Sequence, residues 1–118
     1  MKRLTIDLDK KSQLKKTLIK INDFFNKKAI DEIWVSASGR GYHLITYELD
    51  TAYDLLFMLR ELFGDDKWRI KIDRYKRRYT KNGLDVLWTI KGSKKAKMIY
   101  NRFTGLNKLP LCYRKYVN

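Results

Sequence analysis

Four side chains suited to metal and phosphate chemistry are spread along this sequence: Asp7, Asp9, His43 and Asp73. Asp7 and Asp9 are separated by one apolar residue, which in a strand places both carboxylates on the same face. Two such carboxylates, joined by a third from a neighbouring strand, can hold divalent ions that bridge a nucleoside triphosphate. One cysteine and one histidine exclude zinc sites built from several such ligands, so the sequence predicts Mg²⁺ or Mn²⁺ as the cofactor.

The elements that would position these side chains are predicted from hydrophobic periodicity. Alternating apolar and polar residues indicate strands, whereas apolar residues at spacings of three and four among lysines indicate amphipathic helices. Turn residues and a helix-stop glycine separate the segments. The predicted strands cover residues 3–9, 31–37, 41–48, 68–73 and 84–91, and the predicted helices cover residues 11–27, 51–64 and 93–105.

The order β-α-β-β-α-β predicts an α+β fold of the ferredoxin-like or RRM-like kind, extended by a C-terminal strand and helix. Both helices would cover one face of an antiparallel sheet with the strand order 4-1-3-2. The four chemical side chains would then converge on the open face, because side chains alternate along a strand. The residues predicted to face the helices are Leu4, Ile6, Leu8, Ile33, Val35, Leu44, Ile70 and Ile72.

At 118 residues the chain predicts a single domain, with a core at about 3–91 and a basic extension at about 92–118. The turn predicted at Ser38–Gly41 joins two strands, and Asn82-Gly83 would turn the chain into the fifth strand. Asp65 and Asp66 follow the helix stop at Gly64, and we expect them to lie in a solvated turn outside the site.

Three short motifs in this layout resemble those of the archaeo-eukaryotic primases and primase-polymerases. That family carries an Asp–apolar–Asp strand, a Ser-Gly-Arg-Gly-x-His element and a later apolar–Asp strand end on an RRM-like palm. The first motif resembles Ile6–Asp9, the second Ser38–His43 and the third Ile72–Asp73. The likeness covers roughly residues 4–91. The glycine-histidine element in its place between the two aspartate strands is the most specific part.

The resemblance implies template-dependent nucleotidyl transfer in DNA replication or priming. It implies metal ligation by Asp7, Asp9 and Asp73, and contact of His43 with the phosphates of the incoming nucleotide, assisted by Ser38 and Arg40. Family members usually carry an additional N-terminal α/β unit, whereas here the first motif begins close to Met1. The other half of the usual cleft would therefore be absent, or would come from a partner subunit or from the C-terminal segment.

Composition points independently to a polyanionic partner. Lys and Arg number 27 against 13 acidic residues, a net charge of +14, while 44% hydrophobic residues are enough for a folded core. With no apolar run near the roughly 20 residues of a membrane span and no signal peptide, the expected location is cytoplasmic, in a host cell if the protein is viral. The expected partners are nucleic acid, with DNA favoured over RNA, and nucleoside triphosphates. The residues predicted to bind nucleic acid form a basic ribbon, Lys71, Arg74, Lys76, Arg77, Arg78 and Lys81.

Other interpretations of the same residues stay open at this stage. Asp7 can be a solvated strand residue, Asp9 a helix cap, and the glycines a simple hairpin turn. The chain would then be a non-catalytic RRM-like module for single-stranded nucleic acid, or an inactive primase-like accessory subunit. Adjacent carboxylates on a central strand would repel phosphate unless a cation intervenes, which favours a metal site. A rolling-circle nuclease is disfavoured because it needs a pair of histidines and the chain has one.

Overall fold

The structure, a computed structural model, describes residues 2–49, 52–79, 90–91 and 94–117. The α+β class with an antiparallel sheet is confirmed, and the arrangement is compatible with a ferredoxin-like or RRM-like fold. The elements are β1 (Lys2–Leu8), a 3-10 turn (Lys11–Gln13), α1 (Leu14–Phe25), β2 (Glu32–Val35), β3 (Tyr42–Leu49), α2 (Tyr53–Leu62), α3 (Lys67–Tyr79), β4 (Ile90–Lys91), β5 (Lys94–Lys95), β6 (Lys97–Asn101), β7 (Leu106–Asn107) and α4 (Leu111–Arg114).

The main sheet has five antiparallel strands in the order β1-β3-β2-β6-β7, and β4 pairs with β5 in a separate two-stranded ladder. Among the described strands, β1 therefore lies at an edge, with β3 as its neighbour. Asp7 stands opposite His43 in the register of that pair. The predicted central position of the first strand is wrong, although its predicted pairing with the third strand is confirmed.

The core forms between one face of the sheet and the helices α1 and α2. Leu4, Ile6 and Leu8 of β1 are buried there, as their alternation predicted, together with Ile33 and Leu44. Burial of these aliphatic side chains is the main stabilising contribution in the molecule. The helix residues in the same cluster include Leu14, Leu18, Ile21, Leu56 and Leu59.

The hairpin between β2 and β3 fits tightly against the end of β1. A Cβ atom on Gly41 would lie 1.8 Å from the carbonyl oxygen of Leu8, so a side chain at this position would force the two segments apart. Gly39 has a φ of 75° in the same turn, which favours glycine there as well. The glycines thus hold the predicted turn, and Gly41 brings it against the segment that carries Asp9.

The predicted fourth strand at 68–73 is wrong, because these residues belong to the helix α3. The alternation of Trp68 and Ile72 with charged residues imitated a half-buried strand, yet both side chains are more than half exposed. The buried residues are Arg69, Ile70 and Asp73, which share one side of a helix. Ile72 therefore does not face the core, and charged side chains occupy the buried positions of this element.

α3 and the turn before it cover the edge of β1 where that fourth strand was expected. The amide of Asp7 donates to Asp65 Oδ1 at 2.6 Å, and the carbonyl of Asp7 accepts from the amide of Asp66 at 3.1 Å. Arg69 Nη1 donates to the carbonyl of Thr5 at 3.1 Å. These contacts pair the outward backbone groups of an edge strand, which would otherwise be open to pairing with another chain.

The C-terminal part of the chain also differs from expectation. The helix predicted from 93 to 105 is replaced, among the described residues, by strands β5 and β6 and a turn that ends at Gly105. Ile99, Tyr100, Leu109 and Val117 lie in the same core as α1 and α2, so this segment is part of the core and not an extension from it. The Asn82-Gly83 turn and most of the predicted fifth strand lie outside the described residues.

The face of β1 and β3 opposite α1 and α2 is not open to solvent, contrary to the prediction. Thr5 is 0%, His43 3% and Ile45 5% exposed. Part of this cover comes from Arg69, which hydrogen-bonds to both the carbonyl and the hydroxyl of Thr5. In the part of the chain that the structure describes, no helix has the length and apolar character needed to cross a bilayer.

Candidate metal centre

Asp7 and His43 meet at the end of β1. Residues opposite each other in an antiparallel pair share a face of the sheet, so the register of Asp7 with His43 brings these side chains together. His43 Nε2 lies 3.4 Å from Asp7 Oδ1. The imidazole is buried and the Asp7 side chain is 18% exposed, so the carboxylate is the group that remains accessible.

Asp9 follows directly after β1, where the chain turns toward the first helical residues. Its side chain is exposed. The cap of the 3-10 turn is formed by Lys10, whose amide donates to Gln13 Oε1 at 3.0 Å. The predicted strand thus ends one residue early, and Asp9 approaches the Asp7 carboxylate from the bend after β1.

The third carboxylate beside Asp7 and Asp9 belongs to Asp66, not to Asp73. Asp66 precedes α3 and caps it, since its Oδ1 accepts from the amide of Trp68 at 2.8 Å and more weakly from that of Arg69. One carboxylate oxygen from each of Asp7, Asp9 and Asp66 lies within 4.8 Å of the others. The three side chains form the only such group among the residues that the structure describes.

Asp65 holds this group in place. Its Oδ1 accepts from the amides of Asp7 and Asp66, while its Oδ2 accepts from Arg60 Nε at 2.6 Å and Arg69 Nη1 at 2.7 Å. The Asp65 side chain is fully buried, and Arg60 is 1% exposed. A single carboxylate thus connects β1 to α2 and α3, and it fixes the backbone from which both Asp7 and Asp66 project.

Asp73, predicted as a metal ligand, takes part in a different interaction. Its Oδ2 lies 2.9 Å from Arg60 Nη1, and its side chain is 4% exposed. A buried carboxylate paired with a buried guanidinium neutralises charge in the interior, where an uncompensated ion would be very costly. Arg60, Arg69, Asp65 and Asp73 together form a balanced network of two positive and two negative charges.

The electrostatic environment favours the neutral forms of Asp7 and His43. Burial raises the pKa of Asp7 to about 6; Arg69 opposes this effect, and the carboxylates of Asp65, Asp9 and Asp66 add to it. Burial also lowers the pKa of His43 to about 4, and Arg69 lowers it further. The pKa of Asp9 is raised by burial and by Asp66. A cation between these carboxylates would relieve the repulsion that adds to the effect of burial on the pKa values of Asp7 and Asp9.

Mn²⁺ binding at this cluster is expected to depend on pH. Because Asp7 must lose its proton to act as a ligand, the association constant should rise roughly tenfold per pH unit below about pH 6 and level off above it. His43 is neutral above about pH 4 and adds no positive charge in this range. Mn²⁺ relaxation titrations between about pH 5 and pH 8 measure the profile.

The matched control for this titration is Asp23→Asn, which removes an exposed carboxylate from α1. It should keep the profile of the unaltered protein. Asp7→Asn should bind weakly at every pH, without the rise toward pH 6. An affinity for Mn²⁺ that is constant across the range would show that Asp7 is not a ligand.

Ser38 and Arg40, predicted to assist His43, lie in the β2–β3 turn. The Ser38 hydroxyl accepts from the amide of Arg40 at 3.3 Å and lies 3.2 Å from the hydroxyl of Ser36. The Ser36 hydroxyl accepts in turn from the amide of Gly41. These contacts give Ser38 a role in holding the turn, while the Arg40 side chain is exposed.

The basic ribbon lies on α3 as far as it is described. Lys71 is exposed, and its Nζ lies 5.2 Å from the centre of the Trp68 ring. Arg74 forms an ion pair with Glu61 of α2 and lies over the ring of Phe57. Lys76 is half-buried, and Arg77 and Arg78 continue the backbone of α3. Lys81 lies outside the described residues.

A groove of about 880 Å³ runs between the start of α3 and the segment after β1. Two of the three clustered carboxylates, Asp9 and Asp66, contribute to its wall. Lys67, Trp68 and Lys71 of α3 also line the groove, and Glu61 and Asp65 add two further acidic groups to its wall. The groove therefore combines a place for a cation with groups that attract phosphate.

Sequence reasoning missed both Asp65 and Asp66. An aspartate before a run of helix-forming residues is a helix-start signal, and Asp66 in front of Lys67–Tyr79 fits it. That signal was hidden because the run itself was interpreted as a strand. Asp65 and Arg69 are four residues apart, but the strand interpretation hid that pairing, and the hydrogen bond between Asp65 and the Asp7 amide joins residues 58 apart in the chain.

Comparison of the chain with models of protein families, with curated proteins and with solved structures finds no match. The likeness to primases therefore depends on the motifs alone. The aspartate pair, the turn and His43 lie together as those motifs imply, while Asp73 lies apart from them.

Proposed function

We propose that this chain catalyses divalent-metal-dependent nucleotidyl transfer on a nucleic-acid template, as a minimal primase or polymerase-like palm. The observation that carries the proposal is the convergence of Asp7, Asp9 and Asp66, with one oxygen from each within 4.8 Å, beside buried His43. The same proposal includes a cytoplasmic location, nucleic acid and nucleoside triphosphates as substrates, and a second subunit that completes the cleft.

The donor set fits Mg²⁺ or Mn²⁺, since both ions prefer carboxylate oxygens and the pKa of Asp7 is raised among its acidic neighbours. When bound, such an ion stabilises charge on the transferred phosphoryl group and lowers the pKa of the attacking hydroxyl. Asp7, Asp9 and Asp66 would hold it. Lys67 and Lys71 on the groove wall would attract the phosphates of the nucleotide.

His43 is better suited to orient Asp7 than to contact phosphate. Its side chain is 3% exposed, and its Nε2 faces the Asp7 carboxylate at 3.4 Å. At neutral pH the imidazole is uncharged, because burial holds its pKa near 4. Groups that orient a metal ligand in this way commonly change metal affinity or activity by about 10- to 100-fold when removed.

Labelled nucleotide incorporation on a single-stranded template tests the proposal. The unaltered protein should synthesise product with Mg²⁺ or Mn²⁺ and none with a chelator. His43→Ala should reduce synthesis by about 10- to 100-fold, and His43→Gln, which keeps a neutral N–H donor, should retain more activity. Asp23→Asn should match the unaltered protein.

The non-catalytic alternatives give a different result in the same assay. A single-stranded nucleic-acid-binding module or an inactive accessory subunit would bind the template but incorporate no nucleotide under any metal condition. The catalytic proposal would be overturned if no synthesis is found and if Mn²⁺ binds equally weakly to the unaltered protein and to Asp7→Asn.

A further inference from the structure

α3 buries charged side chains and exposes large apolar ones. Its buried side carries Arg69 and Asp73, which are 9% and 3% exposed, together with Ile70 at 3%, while Trp68 is 71% and Tyr75 65% exposed. Ile72 lies on the same outer side and is 52% exposed. A surface helix ordinarily does the opposite, burying its apolar stripe and exposing its charges.

The exposed side chains form one continuous surface. Trp68 and Tyr75 are seven residues apart, so they lie two turns apart on one side of the helix, separated by about 10 Å along its axis. Ile72 lies between them. Clustered exposure of large apolar side chains is uncommon on isolated domains and marks a binding surface.

The charges around this surface indicate what it binds. Lys67 and Lys71 are exposed next to Trp68, and the chain carries a net charge of +14. A polyanion is therefore attracted to this side of the helix. Among polyanions, single-stranded nucleic acid also offers flat unpaired bases that stack on aromatic rings. Neither a duplex, whose bases are already stacked, nor an acidic peptide makes use of an exposed indole in this way.

The same surface borders the carboxylate cluster. Trp68 and Lys71 line the groove whose wall also carries Asp9 and Asp66. A strand that stacks a base on Trp68 would pass its backbone along Lys67 and Lys71 toward those carboxylates. The binding surface and the candidate metal centre thus belong to one groove.

We propose that the outer face of α3 binds single-stranded nucleic acid, with a base stacked on Trp68 and the backbone held by Lys67 and Lys71. This inference rests on the proposed function, since it assigns the template strand to the groove next to Asp9 and Asp66. Stacking also needs no metal ion, so the surface can be tested separately from catalysis.

Fluorescence anisotropy of a labelled oligothymidylate of about 12 nucleotides provides the test. In the presence of a chelator, Trp68→Ala should weaken binding about tenfold, whereas Trp68→Phe should keep most of the affinity. The matched control is Phe103→Ala, because Phe103 is 69% exposed in the turn between β6 and β7. That variant should bind within about twofold of the unaltered protein.

Salt dependence and strand state separate stacking from general attraction. Lys71→Ala should reduce the slope of log affinity against log salt by about 0.7, the value for one contact to a single strand. The proposal would be overturned if the unaltered protein and Trp68→Ala bind the oligonucleotide equally well. It would also be overturned if a duplex binds more tightly than the single strand and Trp68→Ala does not change its affinity. Failure to bind any oligonucleotide would also overturn it and would assign the exposed helix face to a protein partner.

Failure of this inference and failure of the proposed function are distinguishable. If Trp68→Ala has no effect on oligonucleotide binding, this inference fails, while Mn²⁺ binding and nucleotide incorporation are still expected. If no metal-dependent synthesis is found, the proposed function fails, while Trp68-dependent binding in the presence of a chelator is still expected.

Discussion

Asp7→Asn is expected to reduce nucleotidyl transfer roughly a thousandfold while making the metal-free protein more stable. The loss of activity follows because an amide is a far poorer ligand for Mg²⁺ or Mn²⁺ than a carboxylate. The gain in stability follows because an ionised Asp7 is buried beside three other acidic groups, which raises its pKa to about 6. A cation bound by these carboxylates would relieve the same repulsion.

The sign of the stability change depends on pH. The pKa of Asp7 in the folded protein lies above its ordinary value of 3.8, so ionisation of Asp7 destabilises the fold progressively as the pH rises toward 6 and beyond. Solvent screening at this partly exposed side chain limits the gain from Asp7→Asn to about 1 kcal/mol at neutral pH. Below about pH 4 Asp7 is protonated in both the folded and the unfolded protein, so the difference in stability between the unaltered protein and Asp7→Asn should disappear.

Urea unfolding with and without Mn²⁺ measures both effects. With a chelator, Asp7→Asn should unfold at a higher urea concentration than the unaltered protein. Mn²⁺ at about 100 times its Kd should add about 2.7 kcal/mol to the unaltered protein alone and reverse the order. If Asp7→Asn destabilises the metal-free protein at neutral pH, the carboxylate has a structural role and the metal centre is refuted.

Asp65→Asn is expected to destabilise the protein by about 3–5 kcal/mol, although Asp65 lies outside the metal cluster. Its carboxylate balances two buried guanidinium groups, from Arg60 and Arg69, and it accepts hydrogen bonds from the amides of Asp7 and Asp66. The amide would leave those positive charges with less compensation in the interior. A domain of this size has about 5–15 kcal/mol of stability in total, so much of it would be lost.

A double-mutant cycle separates this network from a general effect of substitution. Arg69→Gln removes one of the two guanidinium charges, so the pair Asp65→Asn and Arg69→Gln should cost less than the sum of the single changes by at least about 1 kcal/mol. Asp23→Asn, on the exposed surface of α1, should change stability by less than about 0.5 kcal/mol. Strictly additive losses would contradict a coupled network.

The acidic residues near β1 therefore divide into two groups with different chemistry. Asp65 and Asp73 are buried and paired with arginines, so their charge is neutralised inside the protein. Asp7, Asp9 and Asp66 bring their oxygens together instead. The paired residues position α3, and α3 in turn positions Asp66, so the stability network and the candidate metal centre depend on each other.

Much of the fold was predictable because it depends on local patterns. Alternation predicted β1, β2 and β3, and apolar spacing predicted α1 and α2, since each of these elements buries aliphatic side chains on one face. The turn at Ser38–Gly41 was predictable from its glycines, and it sets the β2–β3 register, in which His43 stands opposite Trp34. The pairing of the first strand with the third was also predicted, and it brings Asp7 beside His43.

The other half could not be predicted in this way. α3 buries Arg69 and Asp73 and exposes Trp68, so apolar periodicity assigned it to the wrong kind of element. Burial of those charges is favourable because Asp65 pairs with Arg69 and Arg60 pairs with Asp73, and apolar periodicity does not reveal such pairs. The choice of Asp66 over Asp73 as the third carboxylate follows from that helix.

What the sequence alone determined is the spacing of Asp7 and Asp9, the position of His43 on a neighbouring strand, and the positive charge that favours a polyanionic partner. Only the tertiary structure decided that β1 is an edge strand, that α3 covers its edge and that Asp66 completes the cluster. The physical reason is that strand alternation and turn length are set by neighbouring residues, whereas the contacts that place Asp65 and Asp66 beside Asp7 join residues at least 58 positions apart in the chain.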